Sequence, residues 1–379
     1  MPTIEPVADM DTVSRRDFLR GLAASAFLFS LNGGAASRTV AGEAAPFDLL
    51  VIGDSLIWGQ GLEEKDKFYT LIAEWLRRDA FASPRAVDLR VKAHSGSTLK
   101  LHADTADKFI QAKRPENSGF DPEVNVGFPS SWKQIENADA EYRSEGKNGA
   151  DLIMICGGIT DITTSRVFDP RGNDDELRAE IKKYCRDDML DVLELAAGRN
   201  PKAKLAVIGY FPVITTSSIN DKMLNAWLEA LSFPRAFKVF VNNPVVRPMF
   251  FNKLKVRGIE RSRIWLAESN RNLLEAVETL NARLKTKRAV FVPSPLGDEN
   301  AVESPKSMLF RMGKNGVVSD PAARRRIKAC RKSLPDLKRS TNVEYPVRLC
   351  EIAAIGHPNA AGARAYSEAI KAAIAPLLG

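Results

Sequence analysis

The amino-acid sequence predicts an α/β fold, a three-layer sandwich in which helices cover both faces of a central parallel sheet. Short, mostly apolar runs alternate with longer segments whose apolar residues recur at helical spacing. Two of the apolar runs end at glycines, as buried parallel strands do at the edge of a sheet. Strands that are separated by helices in this way are typical of parallel sheets.

The elements follow in order along the chain. Predicted strands cover residues 48–52, 86–93, 151–156, 204–210 and 288–292. Predicted helices cover residues 68–76, 132–142, 176–197, 270–284 and 360–378. Two stretches fit less well: residues 211–270 are rich in aromatic residues, proline and asparagine, and residues 293–350 are basic and loop-like. We expect both to be insertions in a single domain that spans residues 46–379.

Composition excludes several classes of protein. The chain has 379 residues, of which 44% are hydrophobic, so it can bury a sizeable core and is not a disordered chain. Its 55 basic and 47 acidic residues leave a net charge of +8, a modest excess that argues against a dedicated nucleic-acid-binding protein. Three histidines, and four cysteines without C-x-x-C spacing, argue against a structural zinc site. No phosphate loop or dinucleotide motif occurs, and no metal or other cofactor is expected.

Residues 1–45 have the three-part layout of an export signal. A basic segment with Arg15 and Arg16 precedes an apolar run over residues 21–31, and small residues follow up to Ala45. The paired arginines resemble a twin-arginine signal, which would make the export machinery a partner. We therefore expect a periplasmic or secreted protein without a membrane span after cleavage, because the apolar run is shorter than a span of about 20 residues. Two alternatives remain open for this segment: it is retained as an uncleaved anchor, or it is an amphipathic first helix of the mature domain.

Export also changes what the cysteines can do, because they can pair outside the cytoplasm. Cys330 and Cys350 enclose a basic segment, and a disulfide there would close a loop. Cys156 lies in a predicted strand and Cys185 in a predicted helix. For these two, burial as small hydrophobic side chains is the alternative to a bridge.

Four short motifs stand at predicted strand ends or before the last helix. They are Gly53-Asp54-Ser55-Leu56, Ala93-His94-Ser95-Gly96, Gly157-Gly158-Ile159-Thr160-Asp161 and Gly356-His357-Pro358-Asn359. In their order and spacing, from residue 48 to about residue 370, they resemble the GDSL, or SGNH, hydrolases. The resemblance implies a flavodoxin-like sandwich and an esterase or lipase with a serine nucleophile.

The residues themselves support the same chemistry. Ser55 follows a strand and opens a helix, so its hydroxyl lies at the sheet edge near free helix amides. A serine hydroxyl needs a base to take its proton, and His357 is the best candidate because a proline and a helix follow it. The backbone amides of Ser55 and Gly96 are candidate oxyanion donors, since glycine permits close approach. The resemblance implies the same roles and an acyl-enzyme on Ser55.

Two positions depart from the family pattern. Thr160 replaces the asparagine that donates to the oxyanion. Either its shorter side chain reaches the oxyanion from a shifted backbone, another group substitutes, or the enzyme is slow; the structural alternative is that Thr160 bonds locally. Ala354 replaces the aspartate that orients the histidine. We expect a Ser55–His357 dyad whose imidazole is held by a backbone carbonyl, with Glu351 as a more distant candidate.

Neighbouring residues have structural interpretations. Asp54 and Asp161 are expected to brace their turns through local hydrogen bonds. His94 is expected to be a structural neighbour rather than a catalyst, and Trp58 to pack over the site. The basic run from Arg324 to Lys332 is either a solvated helix face or a surface for anionic ligands. Two interpretations remain open for a set of five aromatic residues, which either form an acyl pocket or lid or pack as an ordinary subdomain: Phe233, Phe237, Phe240, Phe250 and Phe251.

The expected function is that of an exported serine hydrolase acting on carboxylic esters of lipids, short acyl chains or O-acetylated sugars. Acyl transfer to a sugar or alcohol through the same acyl-enzyme remains open. A third possibility is a catalytically impaired binding protein on the same fold, because Thr160 and Ala354 replace two functional residues of the family.

Overall fold

The computed structural model describes residues 45–116, 119–218, 246–313 and 318–378, with backbone only over residues 246–252. The export signal predicted for residues 1–45 therefore lies, apart from Ala45, outside the described residues. In the described part of the chain, no helix is both long enough and apolar enough to cross a membrane.

Five parallel strands form the central sheet in the order β2-β1-β3-β4-β5. They are β1 (Phe47–Gly53), β2 (Val87–Val91), β3 (Leu152–Cys156), β4 (Lys204–Ile208) and β5 (Ala289–Val292). Every residue of β1 and β3 is buried, as expected for strands that are covered on both faces. The predicted α/β class with a parallel sheet is confirmed.

Helices connect the strands and form the two outer layers. They are α1 (Ser55–Trp58), α2 (Phe68–Arg78), α3 (Ala103–Gln111), α4 (Ser131–Ser144), α5 (Ile159–Ile162), α6 (Thr164–Val167), α7 (Asp174–Lys182), α8 (Met189–Arg199), α9 (Val246–Leu284), α10 (Ala323–Thr341), α11 (Val347–Glu351) and α12 (Ala360–Leu378). A π-helical turn, Lys183–Asp188, joins α7 to α8. On one face of the sheet α2 packs against α12. On the other face α8 packs against α4 and α9, and α4 and α9 also contact strands β1 and β5 respectively.

Helices extend into both stretches that the sequence pattern predicts to be irregular. Helix α9 begins at Val246 rather than near residue 270, and it buries Ile259 and Trp265. Helix α10 lies in the stretch that was expected to be loop-like. Its buried residues recur every three to four positions, but the many lysines and arginines between them obscure the pattern: Arg326, Cys330, Leu334, Leu337 and Thr341.

A second, smaller core lies beneath α3 and α10, apart from the core around the sheet. It contains Phe109 of α3, Phe128, and Leu334 and Leu337 of α10. A disulfide between Cys330 and Cys350 joins α10 to α11 in this core. Cys156 and Cys185 are free and buried.

The strand order brings the predicted motifs to one place. The chain passes from β1 to β2 on one side and later returns to β3 on the other side of β1. The carboxyl ends of strands at such a reversal are where parallel α/β sheets form ligand sites. Ser55, Gly96 and Thr160 follow β1, β2 and β3 respectively, and all three line one cavity there.

Candidate active site

Local backbone geometry fixes Ser55 at the end of β1. Gly53 has φ +127°, and a Cβ on it would lie 2.0 Å from the carbonyl oxygen of Cys156, so this position requires glycine. Asp54 caps α1 by accepting a hydrogen bond from the Leu56 amide at 2.9 Å. Ser55 is therefore the first residue of α1, at the point where the strand turns into the helix.

His357 meets this serine from the other end of the chain. Its Nε2 lies 2.8 Å from the Oγ of Ser55, which is hydrogen-bond distance. The backbone around it is held on both sides, since the amide of Phe310 donates to the His357 carbonyl at 2.8 Å and the amide of His357 donates to the Ala354 carbonyl at 3.0 Å.

The other ring nitrogen of His357, Nδ1, has no hydrogen-bond partner of good geometry among the described residues. Burial, and then the positive charge of Arg326, lower the pKa of His357 to about 4, and nearby backbone groups of residues 353–355 oppose this shift. The imidazole is thus neutral near pH 7. Glu351 does not approach the ring, because its carboxylate accepts hydrogen bonds from Arg331 and Arg348.

Two backbone amides at the site, those of Ser55 and Gly96, have no acceptor among the described residues. Both residues line the cavity. Gly96 has φ +82°, and a Cβ there would lie 2.2 Å from Oδ1 of Asn125. Only glycine fits this position.

The other predicted site residues are engaged in local contacts. The hydroxyl of Thr160 donates a short hydrogen bond to the carbonyl of Ser97. Asp161 accepts from the Leu99 amide at 3.0 Å, and Asp54 accepts from the hydroxyl of Tyr210 at 2.9 Å. Burial raises the pKa of both carboxyls, to about 6 for Asp54.

The histidine beside Gly96 lies deeper in the protein. His94 is buried, and its Nδ1 lies 3.0 Å from the carbonyl oxygen of Ser95. Burial lowers the pKa of His94 to about 4. It does not line the cavity.

Several cavity residues were not predicted from the sequence, among them Asn125 and His102. Asn125 places its carboxamide beside Gly96, and its backbone amide donates to Sγ of Cys350 at 3.3 Å. His102 places its Nε2 3.7 Å from Oδ1 of Asp161, which raises the pKa of His102. Neither residue belongs to a motif, and only the folded chain brings them to the site.

The cavity has a volume of about 590 Å³. One wall is apolar and comes mainly from the segments after β4 and β5 and from the region around α11: Phe211, Val213, Ile214, Val302, Leu349 and Ile352. Near α5 and α6 the lining carries hydroxyl groups and an imidazole: Thr98, His102, Thr163, Thr164 and Ser165. Ser55, Gly96 and His357 line the same cavity.

A buried ion cluster lies behind the histidine segment. Arg326, which is fully buried, pairs with the carboxylates of Asp320 and Glu123. Its Nε also donates to the backbone carbonyl of Glu351 at 3.0 Å. Glu123 in turn accepts from Nε1 of Trp58 at 2.9 Å, so the cluster connects α1 to the chain just before His357.

No protein-family model and no curated protein sequence matches this chain. Among solved structures, an extracellular lipase from Streptomyces rimosus is 14% identical, with 86% of this chain and 99% of that chain covered and a TM-score of 0.45. A phospholipase A1 from Streptomyces albidoflavus is 12% identical, with 87% and 100% covered and a TM-score of 0.41. A family 2 carbohydrate esterase with a carbohydrate-binding domain from Myceliophthora fergusii is 14% identical, with 92% and 68% covered and a TM-score of 0.36. Likenesses this weak leave function to be argued from the residues of this chain.

Proposed function

We propose that this protein is a serine hydrolase that cleaves carboxylic esters, with Ser55 as nucleophile and His357 as general base. The observation that carries the proposal is the 2.8 Å contact between Ser55 Oγ and His357 Nε2, in a cavity lined by two residues whose backbone amides have no acceptor among the described residues. A hydroxyl bonded to a neutral imidazole is the arrangement that nucleophilic catalysis requires.

The reaction proceeds in two stages. Ser55 Oγ attacks the ester carbonyl carbon while its proton passes to Nε2 of His357. The tetrahedral intermediate collapses when His357 returns this proton to the leaving alcohol, which leaves an acyl group on Ser55. Water then attacks the acyl-enzyme, with His357 again taking and returning the proton.

In this proposal the histidine works without an orienting carboxylate from the described residues. Burial and Arg326 keep it neutral before the reaction, so it is ready to accept a proton. Its backbone is fixed through Phe310 and Ala354. In this proposal the backbone-bonded segment around His357, rather than an acid, orients the imidazole ring.

The negative oxygen of the intermediate accepts hydrogen bonds from the amides of Ser55 and Gly96. We propose Nδ2 of Asn125 as the third donor, because Asn125 lines the cavity, its Oδ1 lies beside Gly96, and its carboxamide makes no hydrogen bond to a described residue. We do not assign this role to the hydroxyl of Thr160, since it donates its one proton to the carbonyl of Ser97.

The acyl chain occupies the apolar wall formed by Phe211, Val213 and their neighbours. The five phenylalanines predicted for an acyl pocket, at positions 233, 237, 240, 250 and 251, lie where no side chain is described, and their role stays a prediction.

Hydrolysis of p-nitrophenyl esters from acetyl to palmitoyl tests the proposal. We expect the Ser55→Ala variant to lose about 10³-fold or more in kcat, as removal of a nucleophile does. The Ser144→Ala variant makes the same chemical change on the surface at the end of α4 and should retain activity. Equal inactivity of wild type and Ser55→Ala across the series would favour a binding protein.

Acyl transfer is the second candidate, and the polar part of the cavity favours it. An acceptor alcohol would find hydroxyl groups of Thr163, Thr164 and Ser165 there. The ratio of p-nitrophenol to free fatty acid distinguishes transfer from hydrolysis. If the acyl group is transferred, added glycerol should raise this ratio, because acylated glycerol forms in place of the free acid.

We also propose export by the twin-arginine route, on the sequence of residues 1–45. The Arg15→Lys, Arg16→Lys variant should then remain inside the cell, whereas the wild type is found outside the cytoplasm.

A further inference from the structure

Part of the exposed lining of the cavity carries hydroxyl groups. Thr163, Thr164 and Ser165 line the cavity and are exposed, so their hydroxyls meet solvent where a ligand would enter. Oγ1 of Thr163 lies 3.0 Å from Oγ of Ser165. Thr163 has φ +72°, a conformation that β-branched residues rarely adopt, and the chain holds it there between α5 and α6.

His102 completes this polar side. Its ring lines the cavity and stacks on Tyr184, with ring centres 6.1 Å apart. Nε2 is buried and faces the carboxylate of Asp161, whereas Nδ1 makes no hydrogen bond to a described residue. Asp161 is itself held by the Leu99 amide, and its Oδ1 lies 3.7 Å from Nε2 of His102, so its attraction for the ring is electrostatic rather than a hydrogen bond.

We propose that His102, Thr163, Thr164 and Ser165 form a subsite for the alcohol part of the ester, and that this alcohol is a polyol such as glycerol or a sugar. The inference rests on the proposed function, because it assigns the two halves of the substrate to the two sides of one cavity. Serine and threonine hydroxyls both donate and accept hydrogen bonds, which matches the mixed demands of a polyol.

The position of the subsite agrees with the direction of the reaction. The acyl chain lies against the apolar wall, and the leaving alcohol must depart from the carbonyl carbon toward solvent. The hydroxyl-bearing residues are exposed, so a polyol could keep part of its hydration while it binds. An apolar alcohol would make no hydrogen bonds to these groups, which would stay hydrated, so the preference for a polyol comes from the hydrogen bonds that its hydroxyls add.

The test compares three esters with one acyl chain: 1-octanoylglycerol, 6-O-octanoylglucose and p-nitrophenyl octanoate. The His102→Phe variant retains a ring that can stack on Tyr184 but has no polar atom. For each protein we divide kcat/KM for a polyol ester by kcat/KM for p-nitrophenyl octanoate. We expect this quotient to be about tenfold lower in His102→Phe than in the wild type, equivalent to about 1.4 kcal/mol. The polyol with the larger loss is the one that the subsite fits.

The Leu349→Ala variant is the matched control, because Leu349 lines the apolar wall and every substrate carries the same acyl chain. It should lower kcat/KM for all three esters by the same factor. The Ser165→Ala variant changes an exposed side chain and provides a second test of the ratio if His102→Phe does not fold.

The outcomes separate the two proposals. An unchanged ratio in both subsite variants overturns the polyol subsite and leaves ester hydrolysis intact. A loss in His102→Phe that is equal for all three esters and as large as that of His357→Phe would make His102 part of the proton-transfer machinery and also overturn the subsite. A wild type that hydrolyses none of the three esters contradicts the proposed function and the subsite with it.

Discussion

At the scale of single residues, the proposed oxyanion site depends on which donors are already engaged. Thr160 stands at the family's donor position, but its hydroxyl proton goes to Ser97. Asn125 belongs to no motif, yet its carboxamide is so close to Gly96 that any other residue there would clash. Ser55 and Gly96 could be predicted because they lie in motifs at strand ends, and His357 because its motif precedes the last helix. Asn125 and His102 could not, because long-range packing brings them to the cavity.

The Asn125→Ala variant tests the third donor. We expect kcat to fall by about 10² to 10³ with little change in KM, because the lost hydrogen bond forms mainly in the transition state. The Thr160→Val variant removes a hydroxyl from the same region and should affect stability more than kcat. Steady-state kinetics on one p-nitrophenyl ester measures both, and the reverse order of effects would return the donor role to Thr160.

The pH dependence of kcat/KM tests the state of His357. The base acts when it is neutral, and its pKa is lowered from 6.5 to about 4. Activity should therefore persist below pH 6 and fall as the pH drops through about 4. The Asp54→Asn variant serves as a control because it can still cap α1 but lacks the carboxyl whose pKa is raised to about 6. An acid limb that persists in this variant does not come from Asp54. An acid limb centred near 6.5 in both proteins would contradict a base whose pKa is lowered in the folded protein.

At the scale of elements, the strands were predictable and the helix boundaries less so. Buried parallel strands are apolar along their whole length, and the predicted β1 and β3 agree with the structure to within one or two residues. Helix α10 shows why the rest was harder to predict. A run of three arginines indicates a solvated face, but in the structure Arg326 is fully buried and only Arg324 and Arg325 are exposed.

The adjacent pair Arg325 and Arg326 provides a matched test of this difference. The Arg326→Met variant leaves the carboxylates of Asp320 and Glu123 buried without their cation, and it should lower the free energy of unfolding by about 3–5 kcal/mol. Arg325 pairs with Asp121 near the surface, and Arg325→Met should cost less than about 1 kcal/mol. Urea unfolding measures both, and equal effects would contradict the buried cluster.

At the scale of the whole molecule, a second core beside the sheet supports one side of the cavity. The disulfide between Cys330 and Cys350 joins α10 to α11, and Leu349 and Cys350 of α11 line the cavity. The sequence predicted this bridge as a loop closure but gave no sign of the core around it. That core is built from distant segments, which local periodicity does not connect.

Reduction of the disulfide should destabilise the fold. The two cysteines are 20 residues apart in sequence, and a loop of this size corresponds to about 3 kcal/mol of chain entropy in the unfolded state. Urea unfolding with and without a reductant measures the loss. A Cys156→Ser, Cys185→Ser variant should show the same loss, and no response to reductant in either protein would contradict a structural role for the bridge.

The most direct measurement of the central claim is covalent labelling by a fluorophosphonate, followed by mass spectrometry of the peptides. The reagent reacts with a serine only when a base activates it. We predict one label, on Ser55, with much slower labelling of the His357→Gln variant. An unlabelled wild type, or a label on another serine with Ser55 unmodified, would contradict the account.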